Sequence, residues 1–456
     1  MNEMIELKNI SESFMDKNIV VCGRINKIRS TGKILFVILR DQIYSIQCVC
    51  AKNDSFKKIP PESFVMVSGK LTKLPEHVPS VISTYHKRFE IRLSDIEIIS
   101  ESKSEYPLPF ILEDVNQLYG SKDRSTVLLN TRLNFRYFDL RAPFNNCIFK
   151  IKSMFSHLFR NYLMDQDFCE IHTPKLISTA SEGGAAVFKL DYFGSAAYLA
   201  QSPQLYKQMC INSDFNKVFE IGPIFRAENC ISQRHLCEFI GLDIEMVLTP
   251  GETYHQIINL AWSALITIFN KILISSKKEL EYIKSIHPFE DPIYSEKPLI
   301  IEFKDAVKLL QDNGFEQNIS EDLSTSHEAQ LGVIIKSKYK QDLFVLDKFP
   351  SGVRPFYTMP CSLESKFSNS FDIIFRGQEI SSGSQRINNY EILMKRFLND
   401  KLKPELFKDY LDSFKYGSRP HGGCGFGLER IVMLYLKIDN IKECSIFPRD
   451  PNRITP

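Results

Sequence analysis

The sequence predicts an α+β protein: a small β-barrel followed by a larger domain of strand hairpins and helices. Three observations carry this. Residues 19–99 read as five short strand runs, IVVCGRI, ILFVILR, YSIQCVC, FVMVSGKL and FEIRLSDIEII, separated by turns rich in Gly, Lys, Asn and Pro. Lys217–Met246 reads as a hairpin, with one strand over Val218–Phe225 and a second over Glu238–Met246. Between and beyond these lie stretches of helical period, above all residues 143–164 and the apolar run Ile257–Ser275.

Length and charge bound the function. At 456 residues with formal charge +2, the chain is long enough for two or three domains and is no global polycation. Residues 1–100 carry 15 Lys/Arg against 11 Asp/Glu, so any nucleic-acid contact must come from local patches. The 11 cysteines are scattered, with a CxC at Cys48 and Cys50 but no CxxC pair, which argues for reduced thiols in the cytosol and against structural zinc. The first residues form neither an apolar signal nor an Arg-rich transit peptide. Asn259, Thr267, Asn270 and Lys271 interrupt the run to Ser275, which reads as a buried amphipathic helix and not as a membrane span. Thr249-Pro250-Gly251-Glu252 reads as its capping box.

Taken in order, the five strands of residues 1–100 suggest an OB-fold barrel, which binds single-stranded nucleic acid. Arg24, Arg29 and Lys33 lie near Phe36, a ring on which a base could stack while cations hold the backbone. Phe36 reads equally as a core side chain, and the local sequence leans that way. Residues 101–142, with Pro107, Pro109 and many charges, read as a hinge. A domain over 143–456 opens with a helix whose Ile148, Ile151, Phe155, Leu158 and Tyr162 share a face, then a short strand ending at Pro174, at a sheet edge or subunit boundary. Ser181–Gly184 is a glycine-hinged loop. Ser202 caps and Pro203 starts a further helix, which places Lys207 in its first turns; a cation there opposes the helix dipole, though a solvated lysine is the plain reading. Residues 277–345 read as an insertion, and the sheet pattern resumes at Leu343–Asp347. Phe371–Gly383 reads as strand, turn and strand presenting Asp372 and Glu379, with Arg386 at the start of a helical stretch. Gly422–Arg430 reads as a glycine-rich turn entering an apolar helix.

The chemistry of these parts points one way. In the 217–246 hairpin, the even-numbered positions Ile240, Leu242, Ile244 and Met246 oppose Phe239, Gly241, Asp243 and Glu245. Its loop carries Arg226, Glu228, Arg234 and His235. Guanidiniums bind phosphate bidentately and Phe239 could stack on a base; solvated charges on an exposed hairpin are the alternative. The glycine-rich stretch has no GKS or GKT and no βαβ unit after it, so it is neither a Walker loop nor a Rossmann fingerprint. Asp372 and Glu379 are hard oxygen ligands suited to Mg²⁺ that bridges phosphates. With Arg226 and Arg430, they suit ATP.

FEIGPIFRAE…RHLCEF and GFGLERIVML resemble motifs 2 and 3 of the class II aminoacyl-tRNA synthetases, and the segment ending at Pro174 resembles motif 1, the dimer interface of that family. SEGGAAVF, QSPQLYKQM, RPFYTMP and FDIIFRGQEISSGSQRI resemble the archaeal and eukaryotic aspartyl-type members, and VVCGRINKIRSTGKILFVILR resembles their anticodon-binding barrel. The resemblance implies a class II catalytic domain, an antiparallel sheet flanked by helices. It implies that Arg226, Glu379 and Arg430 are catalytic. Arg226 would bridge the ATP α-phosphate and the amino-acid carboxylate, with Glu228 beside it. Arg234 would hold the distal phosphates, and Phe239 and Arg430 would sandwich adenine. His235, Leu236, Gly427, Leu428 and Glu429 would complete the ATP site. Asp372, Glu379 and Ser382 would hold Mg²⁺. Lys207 and Arg386 would bind the aspartate side chain, with Gln204, Ser382 and, on its loop, Glu182 around the amino acid. Arg29, Phe36 and Gln47 would read the anticodon.

The sequence departs from the pattern at Thr31, where a glutamine is common, and at Gln378, where a second acidic residue is frequent. It also begins without a lysine-rich arm, from which a lower non-specific tRNA affinity is expected. The implied protein is a cytosolic, homodimeric aspartate–tRNA ligase using ATP and Mg²⁺, acting on L-aspartate and tRNA(Asp), with no membrane association. An asparaginyl-type synthetase and a non-catalytic tRNA-binding paralogue are the alternatives; Lys207 speaks against the first, and Arg226, Glu379 and Arg430 against the second.

Overall fold

The computed structural model of the chain describes residues 3–103, 108–115, 127–179, 187–229, 232–362 and 365–456. The chain forms two compact units, Met1–Cys147 with Ser285–His287, and Ile148–Lys284 with Pro288–Pro456.

In the first unit, β1 (Glu3–Met4), β2 (Asn18–Thr31), β3 (Ile34–Asp41), β4 (Tyr44–Ala51), β5 (Phe64–Lys73) and β6 (Phe89–Ser100) run in the order β1-β2-β3-β4-β6-β5. A second pairing, β2 with β5, closes the barrel. Strand alternation sends Ile19, Val21, Leu35, Val37, Leu39, Ile46, Val65 and Val67 into a fully buried core. This is the OB barrel expected, with the five runs recovered as β2–β6. Residues after it are more than a bare hinge. Short helices at Leu129–Asn134 and Arg136–Asp139 bury Asp139 between two guanidiniums: Arg132 Nε donates to it at 2.8 Å, and Arg136 donates to its second oxygen.

The second unit is built on eight strands: β7 (Cys169–Glu170), β11 (Lys217–Phe225), β12 (Glu238–Val247), β13 (Ile300–Glu302), β14 (Leu343–Asp347), β15 (Ser370–Phe375), β16 (Gln378–Gln385) and β17 (His421–Gly427). Their order is β13-β14-β15-β16-β17-β12-β11-β7. The inner pairings are antiparallel, and both outermost ones, β13–β14 and β11–β7, are parallel. A separate three-stranded sheet joins β8 (Leu176–Ile177), β10 (Ser195–Leu199) and β9 (Lys189–Tyr192). Residues 277–345 supply β13 and much of β14, and so extend the main sheet. Along helix Pro143–Asp165 the buried spine is Ile148, Ile151, Phe155, Phe159 and Leu163; Leu158 and Tyr162 are half-buried. β7 lies at the sheet edge, with Pro174 just past it.

Several sequence expectations need correction. The glycine-rich stretch is not a turn but β17, paired between β16 and β12. A Cβ at Gly423 would stand 2.0 Å from Ile244 O and 2.5 Å from the Glu245 carboxylate, so its glycines clear room for buried acids on β12. The capping box fails because Gly251 sits at φ +87°, a left-handed turn; the helix starts at His255, where Tyr254 and His255 both bond Asp347 (2.5 and 2.9 Å). Helix His255–Ser275 is long and apolar enough to cross a membrane, yet Ile257, Ala261, Trp262, Leu265, Ile268 and Phe269 are buried against the rest of the unit. Helix Gln204–Asn212 starts one residue later than expected, with Pro203 at its cap and the Ser202 hydroxyl accepting from Gln204 N–H at 3.3 Å. Arg386 follows β16 directly and bridges Thr358; the next helix begins only at Tyr390.

Candidate active site

β11 and β12 pair from Lys217↔Met246 to Phe225↔Glu238, and an N–H of Arg226 to Cys237 O (2.9 Å) closes the mouth of the hairpin. The mouth opens on a cavity of about 310 Å³. The hairpin lines it with Arg226, Glu228, Arg234, His235, Leu236 and Phe239; β16 and its end add Glu379, Ser382 and Arg386; Gly427, Glu429 and Arg430 come from the β17–helix junction, and Gln204 from the helix beyond β10. Most of the expected site residues, drawn from four distant segments, therefore share one cavity.

Its mouth is cationic and aromatic. The Arg226 guanidinium lies 5.7 Å from the Phe239 ring centre and 4.0 Å from Glu228, and is 44% exposed. His235 stands 3.6 Å from Glu228, and burial holds its imidazole below the usual range, so it is neutral at pH 7. Arg430 donates to Glu379 O (2.9 Å) and Arg234 O (3.2 Å), which fixes one wall. Arg234 donates one nitrogen to Glu328 at 2.8 Å, while its Nε and other terminal nitrogen are buried without a partner. Unmet buried donors beside a cavity are placed to receive an anion.

The metal ligands expected from the sequence are differently engaged. Asp372 does not line the cavity; its Oδ2 accepts from Arg354 at 2.6 Å, and Arg354 also donates to Ser382 at 2.9 Å. Burial, with Glu379 nearby, pushes the Asp372 carboxyl up to about 7 despite that arginine. Asp372 Oδ1 is buried with no partner. A buried orphan acceptor close to a second carboxylate fits a hard divalent cation. Among the described residues no cluster of three or more His, Cys, Asp or Glu stands ready for a metal, so Asp372 and Glu379 are a pair, not a cage.

The expected aspartate pocket also differs. Arg386 is on the cavity wall, 5.3 Å from the Tyr357 ring, and is fixed by Glu245 (2.8 and 3.1 Å), Ser384 (2.5 Å) and Gln204 (3.2 Å). Lys207 is neither solvated nor on the wall. It is fully buried one layer below, donating to Asp243 at 2.9 Å and Ile244 O at 3.3 Å, with Glu245 at 3.6 Å. Burial raises Asp243, whereas Arg386 and Lys207 outweigh burial at Glu245 and lower it. Leu428 is in the core, and Glu429 is occupied by Lys152 (2.6 Å) and Ile240 N–H (3.0 Å). Glu182 lies outside the described residues. Sequence reasoning missed Arg354, Glu328, Asp243 and Glu245 as site groups. The acidic pair had a signal, two carboxylates alternating with apolar residues on a buried strand; Glu328 had none.

In the barrel, Arg29, Phe36 and Gln47 meet on β2, β3 and β4. Arg29 lies 5.2 Å from the Phe36 ring centre and donates to Gln47 Oε1 at 3.2 Å. Phe36 is half-buried among fully buried neighbours, so it is not a core ring. Arg24 is elsewhere, against Phe64 and Glu62 O.

Residues 129–451 match the model of the class II tRNA synthetases (D, K and N), and residues 19–99 match that of the OB-fold nucleic acid binding domain. The chain belongs to the class II tRNA synthetases. This makes it an aminoacyl-tRNA synthetase, of a family that uses ATP as substrate. It is 41% identical to the cytoplasmic aspartate–tRNA ligase of Rattus norvegicus, over 99% of this chain and 91% of the relative. A putative aspartyl-tRNA synthetase from Leishmania major superposes with TM-score 0.93 at 37% identity, covering 100% of this chain and 95% of that one. The asparaginyl-tRNA synthetase of Pyrococcus horikoshii, complexed with asparaginyl-adenylate, is more distant: TM-score 0.85 at 28% identity, with both chains fully covered. The similarity thus favours the aspartyl over the asparaginyl members.

Proposed function

We propose that the chain is an aspartate–tRNA ligase of the cytoplasm, working as a homodimer free of membranes. It activates L-aspartate with ATP and passes it to the 3′ end of tRNA(Asp). The observation that carries this reading is Arg386, a buried cation on the cavity wall backed by a second, Lys207. A carboxylate side chain entering there meets Arg386, whose charge reaches it through little water. Asparagine would turn an NH₂, itself a donor, toward that guanidinium where aspartate offers a charged acceptor.

Arg226 orients the reaction. Its planar fork, half-exposed at the mouth, can span the α-phosphate of ATP and the carboxylate of aspartate. The carboxylate attacks the α-phosphorus in line, pyrophosphate leaves, and Arg226 stabilises the charge that develops. Phe239 and Arg430 hold adenine between them, with His235, Leu236, Gly427 and the backbone about Leu428 and Glu429 around the nucleotide. Arg234 receives the distal phosphates through its unmet donors. Asp372 and Glu379 would hold Mg²⁺, which neutralises phosphate charge when bound; Ser382 stands beside them. Gln204 and Glu182 orient the amino acid. The terminal ribose hydroxyl of tRNA then attacks the adenylate. Arg29, Phe36 and Gln47 read the anticodon, and the strand edge before Pro174 faces the second subunit.

The test is ATP–pyrophosphate exchange with each amino acid in turn. Exchange should depend on aspartate and be at least about ten-fold weaker with asparagine, the worth of one charge-assisted hydrogen bond. Exchange driven equally by asparagine would move the chain to the asparaginyl type, and no exchange with any amino acid would make it a non-catalytic paralogue.

A further inference from the structure

Glu328 meets Arg234, a side chain of the cavity wall, from a remote part of the chain, 94 residues further along. It sits in the first turn of helix Thr325–Tyr339, whose N-terminus is capped by Ser324 accepting from His327 N–H at 3.2 Å. Two glycines fasten this helix to the turn between β15 and β16. Gly377 adopts φ +73°, and a Cβ on Gly332 would come within 2.5 Å of Gly377 Cα. Only backbone-to-backbone contact fits there, so the helix has one seating on the turn that leads into Glu379. At that seating, the Glu328 carboxylate takes one terminal nitrogen of Arg234 at 2.8 Å, with both side chains largely buried. The two other guanidinium nitrogens stay buried and unmet, and Arg430 holds the Arg234 carbonyl from the other side.

We infer that Glu328 is a positioning residue: it anchors one arm of the Arg234 guanidinium so that the remaining donors are presented to the phosphates of ATP. This rests on the assignment of Arg234 to the distal phosphates made above. A long arginine side chain loses much rotamer freedom on binding, and an anchor already in place removes part of that cost before ATP arrives. The burial-raised affinity of Glu328 for a proton, to which Glu379 adds, fits a carboxylate kept in a dry wall by its arginine.

The experiment compares E328A, E328Q, R234A and E328A/R234A in aspartate-dependent ATP–pyrophosphate exchange, with thermal melting of each. E328A should raise KM for ATP by about ten- to a hundred-fold, the range for losing one charge-assisted hydrogen bond, with KM for aspartate changed by less than about two-fold. E328Q retains an acceptor and should recover part of the loss. The double variant should be no worse than R234A, since an anchor without its arginine has nothing to hold. If R234A raises KM for ATP while E328A and E328Q match wild type, or if the double variant is the product of the two singles, the inference is overturned. If R234A itself leaves KM for ATP unchanged, the phosphate assignment falls and this inference with it. A general structural defect would show as lowered melting with both KM values moved together, and would also overturn it.

Discussion

Lys207→Met keeps an unbranched side chain one atom shorter and deletes its charge. The wild-type ammonium donates to Asp243 at 2.9 Å and to Ile244 O at 3.3 Å, and stands 3.6 Å from Glu245, all in buried surroundings. Removing one partner of a buried ion pair costs about 3–5 kcal/mol, because the other charge is left stranded. Two features of this site soften the loss. Arg386 still holds Glu245 through two bonds. Asp243, whose proton affinity burial already raises, can take up a proton and leave the charged state. The lower end, about 3 kcal/mol, is therefore expected. At about 2–4 °C per kcal/mol, the melting temperature should fall by roughly 6–12 °C. Lys207→Met/Asp243→Asn removes the stranded carboxylate and should regain most of that stability. In both variants Arg386 loses its supporting cation, and the preference for aspartate over asparagine should narrow by about ten-fold or more. Melting curves and exchange assays with both amino acids measure these effects. A stable double variant with the wild-type aspartate-to-asparagine ratio would refute the selective role of Lys207 and leave it a structural cation.

Arg226→Lys should leave the fold intact, since the side chain is half-exposed, and abolish aspartate-dependent exchange, since lysine keeps the charge but not the planar fork; activity within a few-fold of wild type would count against its bridging role. Phe36→Ala should lower kcat/KM for tRNA by about ten- to a hundred-fold, the worth of one base stack, while exchange stays at wild type; a lower melting temperature with both activities falling together would return Phe36 to a packing role. Burial holds His421 below its ordinary pKa of 6.5, so the unfolded chain binds that proton more readily than the native one. Its stabilising share is complete above pH 6.5 and is lost as pH falls from there through the depressed native pKa, so His421→Gln should flatten the pH dependence of melting below about pH 6.5.

What could be read in the sequence was what short-range pattern encodes. The barrel strands and the β11–β12 hairpin have alternating residues over their own length, and the arginines and Phe239 at the hairpin mouth were visible because hairpin ends converge. Misreadings came where a partner lies far along the chain. Gly422–Gly427 looks like a turn by composition; it is a central strand because its missing side chains make room for Asp243 and Glu245 on a neighbour. Lys207 looks like a solvated helix lysine until those same carboxylates are folded beneath it. That Arg354 bonds both Asp372 and Ser382 was equally hidden, since it needed two strands in register and the chain after Val353 laid against them. Glu328 carries no local motif, since its role exists only through the seating of one helix on one turn.

The central claim is that this site couples aspartate, ATP and tRNA(Asp). It is tested most directly by charging purified tRNA(Asp) and tRNA(Asn), side by side, with aspartate and with asparagine in the presence of ATP. ATP-dependent attachment of aspartate to tRNA(Asp) is expected, with asparagine at background on both tRNAs. Attachment of asparagine, or no ATP-dependent charging of tRNA(Asp) by a protein that melts cooperatively, would contradict it.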